Sequence, residues 1–189
     1  MAAAPPPQLR ALTLVLGGVR SGKSAFAEGL FSGIRNRAYV ATAQIMDESM
    51  TSRVEEHRAR REEDGDWTTV ESPLDLAGTL RNLAGDGNAV LVDSLGMWTT
   101  NLLLAEHDVA AAGDSLLESL AAMPSPVVVV SDEVGLGGVA ANSLAREFAD
   151  CHGLLNQKIA GHADRVYLVV AGIPTLLKDA ADRNQQVRT

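Results

Sequence analysis

The sequence predicts an α/β fold, a mainly parallel sheet flanked by helices, and three observations predict it. A β-rich run, Leu12-Thr13-Leu14-Val15-Leu16, leads into a glycine-rich segment and then a helix-forming stretch. Short, nearly continuous apolar runs recur at 89–93, 126–131 and 165–170, the pattern of strands covered on both faces. Helix-length segments separate these runs, as parallel strands joined by crossover helices require.

Each element has its own signal. Residues 1–10 begin Met1-Ala2-Ala3-Ala4-Pro5-Pro6-Pro7 and lack the charged and apolar segments of a signal peptide, so they read as a disordered tail. After the first strand and glycine loop, Ala25 to Ile34 reads as a helix and Arg37 to Thr42 as a strand ending in a small polar residue. Asp47 opens a charged helix through about Glu62, which Glu63-Asp64-Gly65-Asp66 breaks ahead of the β-like Trp67 to Glu71. Ser72-Pro73 then opens a helix, and further helices are expected at Leu95 to Glu106, Asp114 to Met123 and Asn142 to Gly161. Residues 11–178 are expected to form a single nucleotide-binding domain, and 179–189 a C-terminal tail.

A chain of 189 residues with 46% hydrophobic content suits one sizeable core. A formal charge of −8 argues against a broad nucleic-acid-binding face, which needs an excess of Lys and Arg. Cys151 is the only cysteine, which excludes an intramolecular disulfide. Its neighbours Phe148, Leu154 and Leu155 give it a packing role on a half-buried helix face. No apolar stretch approaches the length of a membrane span, so the chain reads as cytoplasmic.

The segment Gly17-Gly18-Val19-Arg20-Ser21-Gly22-Lys23-Ser24 has the G-x-x-x-x-G-K-S pattern of a phosphate-binding P-loop in the strand-loop-helix context it needs. Backbone N–H groups freed by the glycines close on phosphate oxygens. Lys23 reaches the β and γ phosphates, and Ser24 offers a hydroxyl to Mg²⁺. Asp93 ends a strand where P-loop enzymes place a Mg²⁺-holding acid, although an Asp there also suits a helix cap. Asp132 and Glu133 follow another strand and read as a base, a metal ligand or a turn, with a structural role preferred. Ligands of parallel sheets collect at the carboxyl ends of the strands, and Ser21, Thr42, Asp93 and Asp132 all fall there.

Arg53, Arg58, Arg60 and Arg61 stand with His57 in one short helical segment of an otherwise acidic chain. Arg53 and His57 are four apart and share a helix face, so a phosphate near the imidazole is met by a guanidinium. A neutral imidazole there can attack an α-phosphorus and displace pyrophosphate. The plainer alternative is an exposed helix of paired Glu and Arg residues. His107, His152 and His162 read as ordinary surface or capping residues, and no Cys/His spacing indicates zinc.

These residues resemble the bifunctional adenosylcobinamide kinase/adenosylcobinamide-phosphate guanylyltransferase family of cobalamin biosynthesis. The likeness runs from about Leu12 to Lys178: the P-loop, Ala41-Thr42-Ala43-Gln44 with Asp47 and Met50, Arg53 with His57, Trp67 with Glu71, Leu91-Val92-Asp93 with Thr100-Asn101-Leu102-Leu103, Glu133-Val134-Gly135-Leu136-Gly137, and Asn156-Gln157-Lys158. The resemblance implies a P-loop, RecA-like domain assembled as a homotrimer. It implies phosphorylation of adenosylcobinamide with ATP or GTP, then transfer of GMP from GTP to adenosylcobinamide phosphate through a guanylylated histidine, which by position is His57. It also places Gly17 to Ser24, that is Gly17, Gly18, Val19, Arg20, Ser21, Gly22, Lys23 and Ser24, around the guanine nucleotide, with Thr42, Ala43, Gln44, Arg58, Ala59, Arg60, Arg61, Glu71 and Asp93. A carboxylate at Glu71 can accept the paired N1–H and N2–H donors of guanine, which adenine lacks. The chain departs from the family at Asp132, where Asn is usual, at Ser94 and at Ala140-Ala141. Three rivals remain at this point: an enzyme retaining only the guanylyltransferase step, a nucleotide-binding module without turnover, and a small-molecule kinase for another alcohol.

Overall fold

Side chains alternate between the two faces of a strand, and in the inner strands both sets are mostly apolar, so these strands need cover on both sides. The computed structural model describes residues 9, 11–43, 65, 67–138 and 142–181. Among them one seven-stranded sheet runs in the order β3-β2-β4-β5-β1-β6-β7. The strands are β1 Leu12–Gly17, β2 Arg37–Ala41, β3 Trp67–Glu71, β4 Ala89–Asp93, β5 Val127–Asp132, β6 Arg165–Val170 and β7 Ile173–Asp179. The first six are mutually parallel, and β7 is antiparallel to β6.

The alternation divides the core. Leu14, Val40, Val92, Val129 and Val166 face one way. They meet helices α2 Leu76–Leu83, α3 Leu95–Leu104, α4 Val109–Ala121 and α5 Ser143–His162 through Leu80, Trp98, Leu116 and Ile159. Val15, Tyr39, Leu91, Val130 and Val169 face the other way, against Ala27 of α1 Lys23–Gly29 and the following Leu30 and Phe31. Trimming one of the fully buried leucines, Leu80 or Leu91, to Ala costs about 2–5 kcal/mol.

Side-chain caps set the helix starts. Asp75 accepts from Gly78 N at 2.8 Å, so α2 begins beyond the Ser72-Pro73 pair expected to open it. Asp108 accepts from Ala110 N and Ala111 N, which starts α4 at Val109 rather than the expected Asp114. Asn142 caps α5 through Ala145 N at 2.7 Å. The helix expected over Ala25 to Ile34 begins at Lys23, and its regular part ends at Gly29. Tighter turns such as Ile34 N to Phe31 O follow it.

Strand β7 is an element that the sequence reading lacked. Ala171 and Gly172 both have positive φ, 51° and 78°, which is the two-residue hairpin geometry that reverses a strand with the sheet's own twist. Pro174 is tolerated because β7 is an edge strand. The strand runs to Asp179, whose Oδ2 accepts from Arg165 Nε at 2.8 Å.

Candidate nucleotide site

The loop between β1 and α1 is shaped by close approaches that only glycine permits. A Cβ on Gly17 would collide with Ser21 Oγ and stand 2.8 Å from the Val169 carbonyl. Gly22 has φ 91° and passes the β6–β7 turn so closely that a Cβ would lie 3.1 Å from Gly172 Cα. That turn also clamps the loop, since Gly172 N donates to Ser21 O at 2.8 Å. Ser21 N bonds Gly18 O, and Ser21 Oγ accepts from Lys23 N at 3.3 Å. Val19 stands exposed at the loop tip, and Arg20 takes a left-handed φ of 56°. Lys23 Nζ is held between the Gly18 carbonyl at 3.3 Å and Asp132 Oδ1 at 2.9 Å.

Strand register lines up the expected acids along the carboxyl edge of the sheet. Ala41 is opposite both Glu71 and Asp93, Asp93 is opposite Val130, and Asp132 is opposite Gly17. Asp93 Oδ2 accepts from Tyr39 Oη at 3.2 Å. Ser94, not Asp93, caps α3, accepting from Met97 N at 3.4 Å, so the helix-cap alternative for Asp93 is excluded. Glu133 accepts from Gly135 N and Leu136 N and serves as a turn residue. A cleft of about 460 Å³ opens beside it, bounded by Leu16, Val134, Arg146 and Asn156.

Two buried clamps were not anticipated. Thr42 is fully buried; its Oγ1 donates to Ser94 O at 2.7 Å and accepts from Ser94 N at 2.9 Å. Asn101 Nδ2 donates to the carbonyls of Thr42 and Pro73. His152, expected at the surface, is instead fully buried between α3 and β5, with ring nitrogens 3.0 Å from Thr99 Oγ1 and from Ser131 Oγ. It stacks on Phe148. Burial pushes this imidazole below the usual histidine range, against the opposing pull of the Asp132 carboxylate. The other two described histidines are exposed at or just past helix ends, as expected. Cys151 is half-buried against the core; burial, then Glu147 and Asp150, raises its thiol pKa.

The structure thus sets the P-loop, Thr42, Ala43 and Asp93 along one carboxyl edge of the sheet, Thr42 N bonding Asp93 O and β5 separating Asp93 from the loop's strand, with Glu71 exposed on the edge strand β3. Gln44, Arg53, His57, Arg58, Ala59, Arg60 and Arg61 lie outside the described residues. Ser24 and Asp93 offer a hydroxyl and a carboxylate, hard oxygen donors of the type Mg²⁺ takes, and the described residues hold no group of three or more His, Cys, Asp or Glu arranged for a metal.

A glycine loop following the interior strand β1, with the central strand β5 between it and the Asp93 strand, defines a P-loop, RecA-like nucleotide-binding protein. The solved structure of a prototypical ATPase from the type III secretion system of pathogenic bacteria shares this fold. Its TM-score is 0.56 at 12% identity, over 92% of this chain and 57% of that one. The cobinamide kinase / cobinamide phosphate guanyltransferase family matches residues 13–177, and the chain belongs to it. It is 47% identical over 169 residues to the bifunctional adenosylcobalamin biosynthesis protein CobP of Pseudomonas aeruginosa, covering 87% of this chain and 96% of the relative. It is 36% identical to the corresponding CobU protein of Escherichia coli and 37% to that of Salmonella typhimurium, each match covering 88% of this chain and 99% of the relative.

Proposed function

We propose that this protein phosphorylates adenosylcobinamide with ATP or GTP and then transfers GMP from GTP to adenosylcobinamide phosphate, yielding adenosylcobinamide-GDP. The observation that carries this reading is the family match over residues 13–177, which spans both the P-loop and His57. The geometry supports it: Lys23 and Ser24 open the helix after the glycine loop, and Asp93 ends β4 at the same carboxyl edge of the sheet, one strand beyond β5. Bound Mg²⁺ neutralises phosphate charge that the loop leaves uncompensated. Gly17 to Gly22 supply N–H donors, Lys23 meets the terminal phosphates, and Glu71 accepts from the guanine edge. Thr42 holds the strand end through Ser94, beside Ala43 and Gln44.

In the second reaction a neutral His57 nitrogen attacks the α-phosphorus; the P–N bond forms as the bond to pyrophosphate breaks, with Arg58, Arg60 and Arg61 meeting the phosphate charge. An oxygen of adenosylcobinamide phosphate then displaces the imidazole. The P–O bond forms, the P–N bond breaks and His57 returns to its free state. Incubating the protein with GTP labelled at the α-phosphate and Mg²⁺ tests this: the label is expected on a histidine and is lost in His57→Ala with the fold kept. Labelling of His57→Ala would overturn the assignment.

We further propose a homotrimer in the cytoplasm. An exposed edge strand carrying Ile173, Leu176 and Leu177 supports association, and among the described residues no helix is long and apolar enough to cross a membrane. A second reading, guanylyltransferase activity alone, rests on the Asp132 carboxylate paired with Lys23. Separate assays with adenosylcobinamide and with its phosphate distinguish the two.

A further inference from the structure

The carbonyl end of β5 is held from behind by a closed network. The β4–β5 ladder ends at Asp93 and Val130. Two residues further on, the Asp132 carbonyl takes its donors from α5 side chains instead of a strand: His152 Nε2 at 3.1 Å and Asn156 Nδ2 at 2.9 Å. Ser131 Oγ donates to Asn156 Oδ1 at 2.6 Å. Proton counting assigns the rest. A carbonyl only accepts, so Nε2 carries the ring hydrogen; Ser131 has spent its one proton, so it accepts from Nε2. Nδ1 is therefore the acceptor, and Thr99 donates to it from α3.

The other side of Asp132 is equally constrained. Its carboxylate pairs with Lys23 and abuts Gly96 in the first turn of α3, where a Cβ would collide with Oδ2. Backbone and side chain of one residue are thus fixed by separate groups, and only the side chain faces the P-loop lysine.

We infer that His152, with Asn156, is a positioning residue for phosphate transfer, acting through Asp132 to set where Lys23 stands. The inference rests on the reading that Lys23 meets the transferred phosphate. A buried histidine that merely filled space would leave Lys23 indifferent to its hydrogen bonds. A positioning histidine transmits its loss along one route, the Asp132 carboxylate.

A double-mutant cycle tests this, because residues acting through one another give non-additive effects. His152→Leu is expected to lower kcat for adenosylcobinamide phosphorylation by about tenfold. In an Asp132→Ala background the same change is expected to alter kcat by less than about twofold, and His152→Gln, which keeps a donor near Nε2, is expected to restore most of the rate. Multiplying effects of His152→Leu and Asp132→Ala would overturn the proposal, as would an unchanged kcat in His152→Leu. If His152→Leu does not fold, the cycle is run with Asn156→Ala and Asp132→Ala on the same criteria. A wild-type protein without phosphorylation activity would refute the kinase reading rather than this one. The cycle is then read on the dissociation constant for GTP, where additivity again overturns the proposal.

Discussion

Lys23 Nζ and Asp132 Oδ1 are 2.9 Å apart, so the lysine that answers phosphate charge is already paired with a carboxylate from the neighbouring strand. Both side chains keep some solvent contact, 13% and 30%, so the pair itself contributes little to stability, about 0–1 kcal/mol. Its effect falls on the nucleotide, because the negative charge of Asp132 opposes an incoming phosphate.

Asp132→Asn keeps an oxygen for Lys23 and removes that charge. GTP affinity is expected to rise several-fold, with the melting temperature moving by no more than about 2–4 °C. Fluorescent-nucleotide titration and a thermal melt check both; weaker binding would show that the carboxylate aids the phosphate site.

Gly17→Ala forces a methyl group into Ser21 Oγ and the Val169 carbonyl. The loop must shift, at a cost of about 1–3 kcal/mol. Urea unfolding should register the loss of stability, and nucleotide binding should fall with it, whereas Gly18→Ala has open space around its Cβ and should keep the fold's stability.

Glu71→Ala should weaken GTP binding and leave ATP binding unchanged, since only guanine presents two adjacent donors to a carboxylate. Competition titrations with the two nucleotides read the difference. An equal loss for both would remove Glu71 from base recognition.

His152 ties stability to pH with a definite sign. Its folded pKa lies below the unfolded value of about 6.5, so the unfolded chain takes up the proton first. The stabilisation is complete above that pH and declines as pH falls toward the folded pKa. Urea midpoints for wild type should therefore drop between about pH 7 and pH 5 more steeply than those of His152→Gln. The carboxylates common to both proteins cancel in the comparison.

The sheet and the loop were legible because their signals are local. Six strands announce themselves locally, three as nearly continuous apolar runs and the others as short β-rich segments, and Gly17 to Ser24 carries a complete pattern in contiguous residues. Strand β7 escaped because Pro174 interrupts it and Ile173, Leu176 and Leu177 face outward, so it has no inward alternation to read. His152 escaped for a different reason. Phe148, Leu155 and Ile159 share its helix face, but the partners Thr99 and Ser131 that satisfy the buried ring come from other segments. The Lys23–Asp132 pair is similarly a product of strand order, which sets β5 beside β1.

The clamp from Gly172 onto Ser21 gives the order of biosynthesis a bearing on ligand capture. The loop is translated early, but the hairpin that braces it emerges from the ribosome after every other strand except its own partner β7. A growing polypeptide therefore presents its lysine and glycines well before they have a rigid seat. The brace on the phosphate loop is thus a late contact, made only once β6 and its turn have joined the sheet.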